Sequence, residues 1–194
     1  IVTGVQTCAL PILYDSSKLK AVPSSWKKFF EITMAEGSGH TIVHDYQLTT
    51  IGAALCSLGY SFNSIDEKEL GEAEKVLIDS KPHLFAITSD YQPGLRSGDA
   101  WMSICWNGDG LQLNKDLPEM QYTLATDGGE IWSDFYCIPK QAPHLDAAYA
   151  FINFLLDPKI QVLEFESHGY ATGDSRVAAM LPPETADNKI LFPA

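Results

Sequence analysis

The sequence predicts a mixed α/β fold. Two observations lead there. Short apolar, partly β-branched runs alternate with longer runs of helical periodicity, which is the pattern of strands connected through helices. Most of the short runs are also apolar throughout, as strands buried on both faces are. The 194 residues, 45% hydrophobic and 20% charged, are ordinary globular usage and suffice for one good core or two small lobes.

The opening stands apart. Residues 2–12, VTGVQTCALPI, have no charge, no periodic apolar face and no helix cap. The string resembles, codon for codon, the translation of a short-read sequencing adapter, and it is expected to be absent from the natural gene. Such an appended segment is left out of fold reasoning. In a folded chain it is expected to pack poorly or to fill a strand position meant for another segment. On this reading the natural sequence starts at Leu13 without its own N-terminus or signal peptide.

The elements then follow in order. Ser25 is placed to cap a helix over residues 26–34. Gly37, Gly39 and His40 lead into a short strand, Thr41–Val43. A helix over 46–58 stops at Gly59. Ser64 with Glu67 three residues on reads as a capping box, opening a polar helix that ends near Pro82. Leu84–Ile87 reads as a buried strand and 100–106 as a more aromatic one. Residues 107–110 read as a turn before a short helix. A strand over 121–125 and the turn Asp127-Gly128-Gly129 come next. A strand over 135–138 ends at Pro139, and a strongly apolar helix covers 145–156. Asp157 and Pro158 cap and start the next helix. Beyond Gly173 the chain reads as loop with short helices. No internal repeat, low-complexity tract or linker is visible.

The net charge of −12 disfavours nucleic acid and anionic membranes and favours cationic partners. No run is apolar and long enough to span a bilayer. Setting Cys8 aside leaves Cys56, Cys105 and Cys137, an odd number without CxxC or Cys/His ligand spacing. All three are expected as buried free thiols, with no metal site and no cofactor. Enzyme signatures are absent: no GxSxG, HExxH, P-loop or GxGxxG after a strand. The five histidines are scattered, and His44-Asp45 reads as a polar pair at a strand end.

Aromatic residues stand beside acids where elements end. Trp106 precedes Asn107-Gly108-Asp109, Trp132 precedes Ser133-Asp134, Ser89-Asp90-Tyr91 follows a strand, and Gly169-Tyr170 ends a helix. Strand ends are where open α/β sheets bind ligands. Indole faces attract ammonium groups and carboxylates pair with them. These residues read either as a box for an elongated cation or as core aromatics beside solvated acids.

The segments IGAALCSLGYSFNSIDEKEL, SGDAWMSICWNGD, GGEIWSDFYCIPK, AAYAFINFLLDP and HGYATGDSRVAAMLPPE, in that order, resemble the periplasmic spermidine/putrescine-binding proteins of ABC importers. The resemblance covers residues 13–194. It implies a periplasmic-binding-protein-like α/β fold of two lobes, one largely present and the other incomplete, with the ligand in the cleft between them. Residues 13–131 would form the α/β lobe, 132–176 the crossover into the incomplete lobe, and 177–194 the start of the return. By the same resemblance, Trp106 and Trp132 pack on the polyamine's methylene chain and Asp134 pairs with an ammonium group. Tyr170 and Ser89 line the cleft. Family members often have Asp-Asp-x-Arg-Glu before the GAAL helix. This chain has Asp45-Tyr46-Gln47-Leu48-Thr49, so Asp45 keeps the first acid while Tyr46 and Thr49 replace two others.

The function implied is capture of spermidine or putrescine and delivery to ABC transporter permease subunits. It involves no catalysis, no cofactor, no metal and no nucleic acid. The full-length protein would be a monomer, periplasmic or lipid-anchored at the outer face of the cytoplasmic membrane. The alternatives are the same fold binding a different amine or other solute, and a ligand-sensing module. An enzyme lacks any nucleophile–base pair.

Overall fold

The computed structural model describes residues 2–188 and 191, with side chains at all of these except 2–9, 132 and 133. In chain order the elements are β1 (Val2–Ala9), β2 (Ile12–Asp15), α1 (Trp26–Thr33), β3 (Thr41–Val43), α2 (Gln47–Ser57), α3 (Glu67–Ser80), β4 (Leu84–Ile87) and α4 (Gln92–Ser97). β5 (Met102–Ile104), α5 (Asn107–Asp116), β6 (Met120–Thr123), β7 (Ile131–Cys137), α6 (Leu145–Leu155), α7 (Pro158–His168), α8 (Ser175–Ala178) and α9 (Pro183–Ala186) follow. They divide into two compact units. One is Leu10–Glu130; the other joins β1 to the residues from Ile131 onward.

The unit Leu10–Glu130 is built on a five-stranded mixed sheet of order β4-β3-β5-β2-β6. β3 runs parallel to β4 and β5, and β2 runs antiparallel to β5 and β6. The opening segment, expected to pack poorly or to fill a strand position, takes strand positions. β1 is a strand, and Ile12 opens β2. Leu10 and Ile12 are buried in this unit's core at 3% and 0% exposure. β2 lies between two partners; its Ile12 and Leu13 are fully buried and its Tyr14 is half-buried.

Helix α1 starts where expected, with the Ser25 side chain accepting from Lys28 N–H at 3.0 Å. Asp127, read in the sequence only as part of a turn, adds a second cap. Its two oxygens accept from the N–H groups of Trp26 and Lys27 at 2.9 and 3.1 Å, satisfying donors that the first helical turn leaves open. Trp26 and Phe29 then meet edge-to-face at 5.9 Å in the core. In α2 the run Gly52-Ala53-Ala54 is buried. A Cβ added at Gly52 would lie 2.3 Å from the Phe62 ring, so that ring packs directly on the helix backbone.

Four expectations need correction. The cap of α3 is Asp66, which accepts from Lys68 and Glu69 N–H at 2.9 and 3.1 Å. Ser64 instead accepts Asp66 N–H at 3.2 Å, so it braces the residue that caps. Strand β4 is not buried: Phe85 and Ile87 are 47% and 53% exposed, because β4 is the outer strand and one of its faces is uncovered. Residues 107–110 are the first turn of α5 rather than a turn before it. Cys137 is exposed while Cys56 and Cys105 are buried, because β7 belongs to the unit with the thinner core.

In that second unit β1 and β7 form an antiparallel pair, with Cys8 opposite Trp132 and Thr7 opposite Ser133. β7 begins at Ile131, earlier than the expected 135. Asp157 caps α7 through Lys159 N–H at 2.8 Å, and Gly169 ends it in the left-handed conformation at φ 76°, a geometry that favours glycine. Helix α6 is apolar, but among its residues only Ile152 is buried, and Phe151 and Phe154 are exposed. Among the described residues no helix is long and apolar enough to cross a membrane.

Candidate functional site

Parallel pairing assembles the first group. β4, β3 and β5 are neighbours running in one direction, with Val43 opposite Ile87 and Ile42 opposite Ser103. The residues that follow them therefore emerge together at the carboxyl edge of the sheet, where ligands bind in open α/β folds. Asp45, Ser89 and Trp106 all stand there. Asp45 and Ser89 are exposed and Trp106 is half-buried. Tyr46, also exposed, has its ring 6.4 Å from that of Trp106.

Behind Trp106 lies a buried aromatic layer that sequence reasoning missed. His44 is 1% exposed. It stacks on Tyr91 at 5.3 Å with planes 13° apart, and it tilts against Trp106 at 4.8 Å. Neither ring nitrogen has a hydrogen-bond partner of good geometry. Burial holds the imidazole neutral and lowers its pKa to about 4; Asp45, Asp109 and the Ile104 carbonyl oppose the shift. The sequence reading took His44-Asp45 as a polar pair. The structure separates them: His44 is the last of four consecutive buried residues, and Asp45, at the bend that follows, is exposed.

Tyr91 is fully buried, and its hydroxyl works in two directions. It donates to Asp109 Oδ2 at 2.6 Å and accepts Trp106 N–H at 2.9 Å. Burial first, then the neighbouring Cys105 and Asp109, pushes this phenol far above its ordinary pKa. Nearby, Thr49 is buried and donates to Glu130 at 2.8 Å, so it faces the protein rather than solvent. Among the described residues no lysine or arginine forms an ion pair with Asp45 or Asp109.

The second unit holds the other group. Asp134 and Tyr170 line one open pocket of about 200 Å³, with Tyr136, Gln161, Glu164 and His168 among its walls. β7 presents Asp134 and Tyr136, and the left-handed turn at Gly169 delivers Tyr170. Tyr170 N–H donates to His168 Nδ1 at 3.1 Å, and the two rings lie 5.6 Å apart. Burial, with the Glu164 carboxylate beside it, raises the Tyr136 phenol. Asp134 has no Lys or Arg partner among the described residues. The Trp132 side chain lies outside the described residues. The sequence-derived positions thus fall into two sets: Asp45, Ser89 and Trp106 in one unit, and Asp134 and Tyr170 in the other.

Chemically, each set offers aromatic faces with a carboxylate, Asp45 or Asp134, that has no Lys or Arg partner among the described residues. That combination suits ammonium groups joined by methylenes. Among the described residues no three His, Cys, Asp or Glu side chains converge to hold a metal ion.

Comparison with known proteins gives a consistent picture. The profile of the bacterial extracellular solute-binding protein family matches residues 3–193. The spermidine/putrescine-binding periplasmic protein of Escherichia coli K12 is 29% identical over 172 residues, covering 88% of this chain and 49% of the relative. A putrescine/cadaverine-binding protein of Pseudomonas aeruginosa is 28% identical over 187 residues, covering 92% and 53%. The crystal structure of the spermidine/putrescine ABC transporter substrate-binding protein PotD of Streptococcus pneumoniae superposes with a TM-score of 0.85. It shares 28% identity and covers 99% of this chain and 59% of that one. The chain spans about half the length of the curated relatives it matches.

Proposed function

The chain belongs to the bacterial extracellular solute-binding proteins, and from that premise we propose that it serves an ABC importer by capturing a polyamine, spermidine or putrescine. It binds without chemical change and hands the solute to membrane permease subunits. It works outside the cytoplasmic membrane, free in the periplasm or lipid-anchored, and as a monomer when full length. The similar proteins named for spermidine and putrescine support this reading. The observation that carries it is the carboxyl edge of β4-β3-β5, where Trp106, Tyr46 and Asp45 stand together.

The binding residues proposed are Trp106, Ser89 and Asp45 from Leu10–Glu130, and Asp134, Tyr170 and Trp132 from the second unit. Residues 13–131 are proposed as one lobe, 132–176 as the crossover, and 177–194 as the start of the return. Desolvated ammonium–carboxylate pairs and ring stacking supply the affinity, with closure of two lobes around the solute.

A second reading has one specific observation behind it. Where the family pattern carries a further acid, Thr49 is buried and bonded to Glu130. The side chain at 49 therefore brings no carboxylate of its own to an amine, which suits a shorter or singly charged one.

Calorimetric titration decides between them. The longest form that the gene encodes is titrated with spermidine, putrescine and n-butylamine, as parent and as Asp134→Asn. The polyamine reading expects both polyamines to bind and the variant to weaken them at least about thirtyfold, near 2 kcal/mol, by leaving a buried cation under-paired. Trp132→Leu costs less, about 1–2 kcal/mol, because the cation stays paired. Butylamine binding as tightly as putrescine selects the second reading. Undiminished polyamine binding by Asp134→Asn rejects this cleft.

A further inference from the structure

We propose that Asp109 and Tyr91 are positioning residues for Trp106: the Asp109 carboxylate fixes the buried Tyr91 hydroxyl, and that hydroxyl fixes the Trp106 backbone. The proposal rests on the reading of Trp106 as a solute-facing ring.

Trp106 sits between β5 and α5 as the residue that precedes the helix, with φ −77° and ψ 144° and no side-chain cap bond. Neither element's backbone ladder holds its N–H. The Tyr91 hydroxyl accepts that N–H at 2.9 Å. A phenol has a single hydrogen to donate, and its lone pairs point elsewhere. Asp109 takes this hydrogen at 2.6 Å, a short bond of the charge-assisted kind. With the hydrogen committed to Asp109, a lone pair is left facing Trp106. Tyr91 is 0% exposed, so in the intact chain its hydroxyl is held by protein partners and not by bulk water.

The ring of Trp106 is held against the same anchor. His44 stacks on Tyr91 and tilts against Trp106, so the indole's place depends on the Tyr91–His44 layer. The circuit closes within one helical turn, because Asp109 stands three residues after Trp106 on α5. Asp109 is half-buried and stands in the first turn of α5, where the helix dipole favours a carboxylate. Its task is to accept a hydrogen bond, which an amide oxygen also does. Neutralising it is therefore tolerated, and deleting it is not.

The test uses Asp109→Asn, Asp109→Ala, Tyr91→Phe and the Asp109→Ala/Tyr91→Phe double variant in the longest form the gene encodes. Two quantities are read: amide hydrogen exchange at Trp106 and the Kd for putrescine. Tyr91→Phe and Asp109→Ala are each expected to speed Trp106 exchange at least about tenfold, while Met102 and Ile104 in β5 stay within about twofold. Each raises Kd about tenfold, and the double variant adds little to either, as members of one network do. Asp109→Asn is expected to recover most of what Asp109→Ala loses.

If Asn costs as much binding as Ala, Asp109 acts by its charge on the solute and the proposal falls. It also falls if Trp106 exchange is unmoved in Tyr91→Phe, or if exchange rises and Kd does not. Asp109 is only half-buried, so its Asn–Ala contrast decides even where Tyr91→Phe fails to fold. A parent that binds no putrescine overturns the polyamine reading and, with it, the positioning of a solute-facing ring. The exchange data then still decide whether the three groups form one hydrogen-bonded circuit.

Discussion

A neutral imidazole sealed behind Trp106 makes the folded chain sensitive to acid. His44 has its pKa lowered from 6.5 to about 4 by burial, whereas the unfolded chain protonates it at its ordinary value. Between these values the unfolded state binds more protons, so stability rises with pH across the window. The contribution is complete above about pH 6.5, falls progressively below it, and is spent near pH 4. The shift corresponds to an upper limit of about 3 kcal/mol. Urea unfolding midpoints of the parent should therefore fall between pH 7 and 4 more steeply than those of His44→Phe, which keeps an aromatic ring in the layer. Parallel slopes would exclude a buried neutral histidine. At this scale the sequence showed that Ser89 and Trp106 stand at strand ends, because each follows a strand that its own apolar run announces; Asp45 was marked by the family resemblance alone. It did not show that His44 and Tyr91 stack, because they follow different strands, β3 and β4, and only the parallel pairing of those strands brings the rings together.

At the scale of the element, capping shows how far local pattern reaches. The sequence placed the start of α3 correctly within a few residues but assigned the cap to Ser64, since Ser64 and Glu67 satisfy the spacing of a capping box. The structure uses Asp66, whose carboxylate accepts two N–H groups of the first turn. Asp66→Ala should cost about 1 kcal/mol of stability, the usual loss for an N-cap. Ser64→Ala should cost less, because its hydroxyl accepts from the Asp66 N–H outside the helix and donates to the Glu69 side chain, and so satisfies no N–H of the first turn. Chemical denaturation of the two variants checks the order; a larger loss at Ser64 would restore the capping box. Strand β4 teaches the complementary lesson. Its apolar run LFAI predicts a strand, but nothing local to it states that no further strand lies beyond. Its half-open face follows from its outer place in the sheet.

At the scale of the molecule, the two units differ in how well they bury their apolar residues. Leu10–Glu130 supplies most of the fully buried side chains, including Trp26, Phe29, Ile12, Leu13, Tyr91 and Met102. In the second unit Phe135, Phe151, Phe154 and Leu163 are more than half exposed. Local opening is easiest where buried apolar contact is least, and cysteines report on it. Cys137 is exposed. Burial raises the thiol pKa of Cys56 and raises that of Cys105 further, leaving both protonated and poorly nucleophilic. Under native conditions a maleimide should modify Cys137 at least about a hundredfold faster than Cys56 or Cys105, which wait for opening of their unit. Mass spectrometry of timed quenches reads the order. Comparable rates at all three would contradict the difference between the two cores.

By itself the sequence determined most of the strands and helices after Ser25 and most of their boundaries, the acidic surface, and the strand ends where aromatic residues meet acids; it showed no helix at Gln92–Ser97 and left strands in the opening segment as one of two alternatives. These features depend on periodicity, capping and turn chemistry, which act within a few neighbouring residues. Only the tertiary structure decided that β2 lies between β5 and β6, that β4 is an edge, and that Asp127 caps α1 from 101 residues away. It also decided that a tyrosine hydroxyl joins Asp109 to Trp106. The reason is physical. A long-range contact is chosen by which surfaces can be buried together at the least cost in chain entropy, and no short stretch of residues contains that comparison.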